Sequence, residues 1–176
     1  MFALVYTGSD KEVITMYDRI LVPLDGSRFS TRALKYAADL APRYCAALVL
    51  VSVVEPERVI PSVADPTGMA SPVVANAAVE QARYLEERNR TRARRYLAGK
   101  VRALKAEGIA AEYVLEYGHP AEAIMKTAKK KKADLIVMAT HGRGGLKRAF
   151  MGSVADKVIR ESREPVLVIR ARATKK

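Results

Sequence analysis

Five short apolar runs, separated by helix-like patterns, constrain what this chain can fold into more than any other feature. They are Arg19–Leu24 (RILVPL), Ala47–Val54 (ALVLVSVV), Ala111–Tyr117 (AEYVLEY), Leu135–Ala139 (LIVMA) and Val166–Ile169 (VLVI). Near-continuous apolar character suits strands covered on both faces, as in parallel sheets. The third run is the exception, since Glu112 and Glu116 interrupt it and make it an edge strand. Between the runs lie amphipathic stretches. Phe29, Ala33, Ala37 and Leu40 share one helical face, with Ser27 or Ser30 as cap and Pro42 as stop. Val79 to about Lys105 reads as one long helix with Ala93, Leu97, Val101 and Leu104 inward, and Gly108 just past its end. Ala121, Ile124, Met125 and Ala128 mark a third helix, ended by Lys129–Lys132. Val154, Val158 and Ile159 mark a fourth, starting at Ser153. The alternation predicts an α/β fold, a single three-layer doubly wound domain with a mainly parallel five-stranded sheet.

Length and charge set the bounds. A chain of 176 residues favours one domain. Met16 immediately precedes the first strong strand, so residues 1–15 read as an N-terminal extension, 16–172 as the domain and 173–176 as a basic tail. The stretch Glu55–Ala78 holds Pro56, Pro61, Pro66, Pro72 and Gly68, which predicts a long irregular connection, either a lid or disorder. A net charge of +12 favours anionic partners. The lone Cys45 excludes an intrachain disulfide. No apolar run approaches a membrane span and no signal-peptide core is evident, so the reading places the protein in the cytoplasm with no membrane partner.

The functional reading centres on Met138–Ser153, MATHGRGGLKRAFMGS. A strand runs into a loop with Gly142, Gly144 and Gly145, and Gly152-Ser153 opens a helix. Glycine lets backbone N–H groups approach an anion, and a helix start offers unpaired donors and a favourable dipole. Arg143, Lys147 and Arg148 add positive charge. In open α/β sheets ligands bind beyond the carboxyl ends of the strands where strand order reverses. The loops after the first and fourth runs are the most glycine-marked, so those two strands are expected side by side. No Walker sequence and no complete Gly-x-Gly-x-x-Gly after the first strand is present. Two histidines, His119 and His141, and one cysteine give neither a metal cluster nor a nucleophile–base pair.

Three patterns together resemble the universal stress protein family: Pro23-x-Asp25-Gly26-Ser27 after the first strand, Ala139-Thr140-His141-Gly142-x9-Gly152-Ser153-Val154, and the final Pro165-Val-Leu-Val-Ile169. The likeness runs from about Tyr17 to Arg170. It implies an adenine nucleotide alpha hydrolase-like sheet in order 3-2-1-4-5, commonly a homodimer, and in one branch bound ATP. The ATP-binding branch carries Gly-x2-Gly-x9-Gly-Ser/Thr. Gly142, Gly152 and Ser153 match it, whereas Ala139 stands where the first glycine would be. The resemblance implies that Pro23 and Asp25 lie near the ribose and base and that the Val53 backbone meets the adenine edge. Met138, Ala139, His141 and Arg143 would flank sugar and phosphates, and Gly142, Gly152, Ser153 and Val154 would cradle the phosphates. Magnesium or manganese would arrive with ATP.

The expected function is that of an ATP-binding universal stress protein, a nucleotide-dependent sensor or regulator of the stress response. It is not an enzyme beyond slow ATP hydrolysis, because no residue presents itself as a general base. The alternative is a non-nucleotide stress or interaction module of the same fold, in which Ala139 marks a lost pocket. Asp25 suits either a ribose contact or a cap on the next helix. A third reading, a basic nucleic-acid-binding protein, draws on the arginines of the long helix. Glu80, Glu86 and Glu87 on that helix, and the lack of an aromatic stacking platform, count against it. Val166–Ile169 as an apolar sheet edge predicts pairing with a second copy, hence a homodimer.

Overall fold

The computed structural model describes residues 4–5, 13–14, 16–55, 72–140 and 152–170, with the backbone alone for 4–5, 13–14, 72–76 and 78. Leu4–Val5 (β1) and Val13–Ile14 (β2) pair antiparallel as a small sheet of their own. The main elements then follow in order: β3 Arg19–Pro23, α1 Arg28–Tyr44, β4 Ala47–Val54, α2 Pro72–Ala106, β5 Ala111–Tyr117, α3 Pro120–Lys131, β6 Leu135–Ala139, α4 Ser153–Glu161 and β7 Val166–Ile169. The five-stranded sheet runs β5-β4-β3-β6-β7, every neighbouring pair parallel. Counted within that sheet the order is 3-2-1-4-5, and both edges are the strands expected there.

Why the strands are apolar throughout follows from the two cores. Ile20, Val22, Leu48, Leu50, Leu135 and Val137 point to one face, where they meet Ala33, Leu34, Ala37 and Ala41 of α1 and Leu97 and Leu104 of α2. Their neighbours Leu21, Val49, Val51, Ile136 and Met138 point to the other, against Ala121, Ile124 and Ala128 of α3 and Ala155 and Val158 of α4. Side chains alternate along a strand, so covering both faces requires every position to be apolar.

Two helix boundaries and one burial differ from the sequence reading. The long helix starts at Pro72, inside the stretch expected to be irregular. A proline at the first helical position loses no hydrogen bond and has its φ already set, so Pro72 opens the helix where it was expected to break one. Helix α1 runs through Pro42 to Tyr44. The N–H groups of Cys45 and Ala46 both close on the Ala41 carbonyl, so the last turn holds despite the proline. Ile159 is exposed rather than inward, and Ala155 takes the buried place beside Val158. The expected glycine stop at Gly108 is present, at φ +78.

Candidate functional site

The central strand β3 ends first, and its ending makes the site. Leu24 donates its N–H to the Val51 carbonyl at 2.7 Å, which turns Pro23 toward β6. Proline has no N–H for a ladder on that side. Pairing between β3 and β6 accordingly stops at Leu21 opposite Ile136, while β4 with β5 and β6 with β7 stay paired to Tyr117 and Ile169. A gap therefore opens beyond β3, between β4 and β6, at the point where strand order reverses.

Two backbones look into that gap. Val51 faces β3, so Val53, two residues on, presents its N–H and C=O to the same side, past the end of β3. No described residue bonds to them. On the other flank the N–H of Thr140 meets the Ile169 carbonyl, which turns Ala139 the opposite way, toward β3. Ala139 lies in regular strand opposite Ile169 and is not among the residues with positive φ, so no left-handed conformation is asked of it. Its methyl belongs to the α1 and α2 side of the sheet, opposite the face that carries α4. The departure from glycine thus costs no backbone strain, and the methyl points away from the α4 start.

Among the described residues the α4 start is open. Gly152 is the N-cap and, lacking a side chain, makes no capping bond. Its own N–H bonds the Thr140 carbonyl at 2.7 Å and its carbonyl accepts from Asp156. No described residue accepts from the N–H groups of Ser153 and Val154, and the Ser153 side chain is exposed. Glycine at 152 is forced by proximity: a Cβ there would stand 2.8 Å from the Thr140 carbonyl oxygen. Thr140 is the residue that the spacing argument passed over. It is buried, and its backbone clamps the end of β6 both to β7 and to α4. Its place between Ala139 and His141 in the motif was the available signal.

Asp25 sits in the turn after β3, exposed, with one carboxylate oxygen accepting the Ser27 N–H at 2.9 Å. Ser27 is the cap of α1, its hydroxyl accepting from the Ser30 N–H. Asp25 therefore braces the cap rather than serving as it. Partial enclosure, the largest single influence, acts to raise its pKa. Hydrogen bonds from the Ser30 and Ser27 side chains and the Ser27 backbone together outweigh it, and the net shift is downward. The carboxylate is charged at neutral pH.

Of the expected site residues, Pro23, Asp25, Val53, Met138, Ala139, Gly152, Ser153 and Val154 all stand at the carboxyl ends of β3, β4 and β6 or at the α4 start. Met138 is buried under α3 and α4 and lends no surface of its own. His141, Gly142 and Arg143 lie outside the described residues. His119 is exposed, and its carbonyl accepts from Ala123 at the start of α3, with no capping bond from the imidazole.

This arrangement has counterparts. Residues 16–170 match the universal stress protein family. Universal stress protein MJ0531 of Methanocaldococcus jannaschii is 34% identical over 156 residues, 88% of this chain and 83% of that one. The solved structure of the protein MJ0577 superposes with a TM-score of 0.74 at 25% identity, over 90% of this chain and 99% of that one. A universal stress protein from Archaeoglobus fulgidus, solved in complex with dAMP, shares the fold at TM-score 0.56 and 23% identity, over 88% of this chain and 98% of that one. With the family matched across the whole sheet and its helices, the chain belongs to the universal stress protein family.

Proposed function

We propose that this protein binds ATP in the gap beyond β3 and acts as a nucleotide-dependent sensor or regulator of the stress response. One observation carries the reading. The Val53 backbone and the first N–H groups of α4, neither bonded by a described residue, stand at the same pole of the sheet, one on β4 and the other tied through Thr140 to β6. A flat base with donors and acceptors on its edge suits the first, and an anion suits the second. Asp25, ionised in the turn between them, supplies an acceptor for ribose hydroxyls. The Archaeoglobus relative in complex with dAMP supports the adenine assignment.

In this reading Pro23 opens the gap, Val53 meets the adenine edge, the Ala139 backbone lines the opposite flank, and Met138 supports it from within the core. Gly152, Ser153 and Val154 hold phosphate, joined by His141, Gly142 and Arg143 from the loop. A magnesium or manganese ion enters with the phosphates. The protein works by binding rather than by fast hydrolysis. It acts in the cytoplasm as a homodimer through Val166–Ile169, where Leu167 is 37% exposed on an edge strand. The alternative, a module of the same fold that binds no nucleotide, rested on Ala139. Its regular strand geometry and the direction of its methyl count against that alternative.

The test is direct. Purified protein is denatured and released nucleotide is sought by mass spectrometry, then ATP with magnesium is titrated calorimetrically into the nucleotide-free protein. Adenine nucleotide released, or affinity in the micromolar range, is the expected result. Absence of both overturns the proposal. A monomeric mass in solution at micromolar concentration overturns the dimer.

A further inference from the structure

Between Arg88 and Lys105 helix α2 carries eight basic residues and no acidic one, in a chain whose net charge is +12. Helical spacing puts Arg88, Arg92, Arg95 and Arg102 on one face, opposite the buried Leu97 and Leu104. All four are exposed. None has an ion pair or a hydrogen bond to a described residue. Arg90, which does, lies on a different face, paired with Glu87 and stacked over the Tyr117 ring at 5.5 Å. At 1.5 Å per residue the four arginines span about 21 Å.

A merely solvated helix face mixes signs, because like charges three or four residues apart repel. Here Arg88 and Arg92, Arg90 and Arg94, and Arg92 and Arg95 are such pairs. The acidic residues of the helix, Glu80, Glu86 and Glu87, all precede Arg88, and Glu87, which borders the stripe beside Arg88, is paired with Arg90. The four basic positions of the face are all arginine, with Tyr84, Thr91 and Gly99 also on it. The planar fork of arginine grips phosphate oxygens with two bonds, which lysine does not do. The apolar side of this part of the helix is spent on the core, so no apolar surface remains for insertion into a lipid layer.

We propose that the Arg88–Arg92–Arg95–Arg102 face of α2 binds the phosphate backbone of a nucleic-acid duplex without reading its sequence. Over 21 Å a duplex presents about a dozen phosphates, at one charge per roughly 1.7 Å, so four contacts fit its length. A duplex is favoured over a single strand because Tyr84, 66% exposed, is the only aromatic ring among the described residues on this face, too little for a stacking platform. The surface lies on the α1 and α2 side of the sheet, away from α4, and the inference stands independently of nucleotide binding.

The test uses the full chain and fluorescence anisotropy with 30-base-pair DNA and RNA duplexes, the matching single strands, and vesicles containing phosphatidylserine. Four phosphate contacts should weaken duplex binding about 100-fold between 50 and 200 mM salt. The double variant Arg92→Gln/Arg95→Gln should reduce that salt effect to about tenfold, with an unchanged thermal unfolding midpoint. The double variant Lys129→Gln/Lys130→Gln, which removes the same charge from the end of α3, should keep the wild-type salt dependence. Equal behaviour of the two variants would assign any binding to net charge and overturn the proposal. So would no duplex binding, tighter binding of single strands, or binding to vesicles without binding to duplex.

Discussion

Helices α3 and α4 start at the same pole, pack on the same face of the sheet and touch each other, yet their starts are opposite in character. The first position of α3 is Pro120, which has no N–H to offer, and its first turn holds its own anion, Glu122. Glu122 is bound in turn to Lys157 of α4 at 2.9 Å. That start is partly closed, with one donor missing and an acid at the third helical position. At α4 the cap is a glycine, the first position is Ser153 with an N–H to offer, and the first-turn acid, Asp156, stands one position further from the start than Glu122 does in α3. The lesson is that a helix dipole alone does not make an anion site. What distinguishes the two is a proline without an N–H at the first position and an acid one position nearer the start.

The sharpest way to break the comparison is to close α4 as α3 is closed. Ser153→Glu puts a carboxylate at the first helical position, which suits the helix dipole but repels phosphate. ATP affinity should fall by about 100-fold or more in calorimetry, while the thermal midpoint holds or rises slightly. Unchanged affinity would remove α4 from the site. Gly152→Ala comes next. Its Cβ would meet the Thr140 carbonyl oxygen at 2.8 Å, and the clash should cost about 1–3 kcal/mol in urea unfolding. A neutral result would mean that the Thr140 clamp yields. Pro23→Ala returns an N–H to β3 on its β6 side, lets the ladder extend and narrows the gap. Affinity should drop roughly tenfold, the equivalent of one hydrogen bond, with no loss of stability.

Smaller effects involve titration. Because the Asp25 pKa is lowered on folding, its charged form contributes stability above its unfolded pKa. That contribution is lost as pH falls below about 4. Asp25→Asn should flatten the acid limb of the stability–pH curve and leave the alkaline limb alone. The smallest effect belongs to the pair that closes α3. Hydrogen bonding and attraction to Lys157 lower the pKa of Glu122, and the same partner bond raises that of Lys157. Its contribution therefore fades at both extremes, below about pH 4 as Glu122 protonates and above about pH 10 as Lys157 loses its proton. Both groups are exposed, so Glu122→Gln should barely move the unfolding midpoint. A large shift would show that α3 depends on the pair.

Much of this was legible in the amino-acid order, for a physical reason. Two-sided burial demands unbroken apolar strands, so Ile20–Val22, Leu48–Val51 and Leu135–Met138 announce a covered parallel sheet. Glutamates at 112 and 116 mark its edge. Capping is equally local: Ser27 and Gly108 sit where their chemistry requires. Reading failed where a residue has two uses. Pro72 and Pro42 were taken as breaks, but a proline at a helix start or in a last turn is tolerated. Ile159 fits the apolar spacing of α4, yet its exposure depends on how far α4 leans from the sheet, which no spacing encodes.

The sequence by itself determined the element types, the parallel sheet, its edges and the glycine that opens α4, because periodicity, capping and close packing are written in local residue order. Only the tertiary structure decided which way the backbones face. That Val53 looks past the end of β3, that Pro23 ends the ladder on the β6 side alone, and that the Ala139 methyl lies across the sheet from α4 all follow from register between strands far apart in the chain. Register is set by the packing of the whole sheet, and a one-residue slip would have reversed each of them.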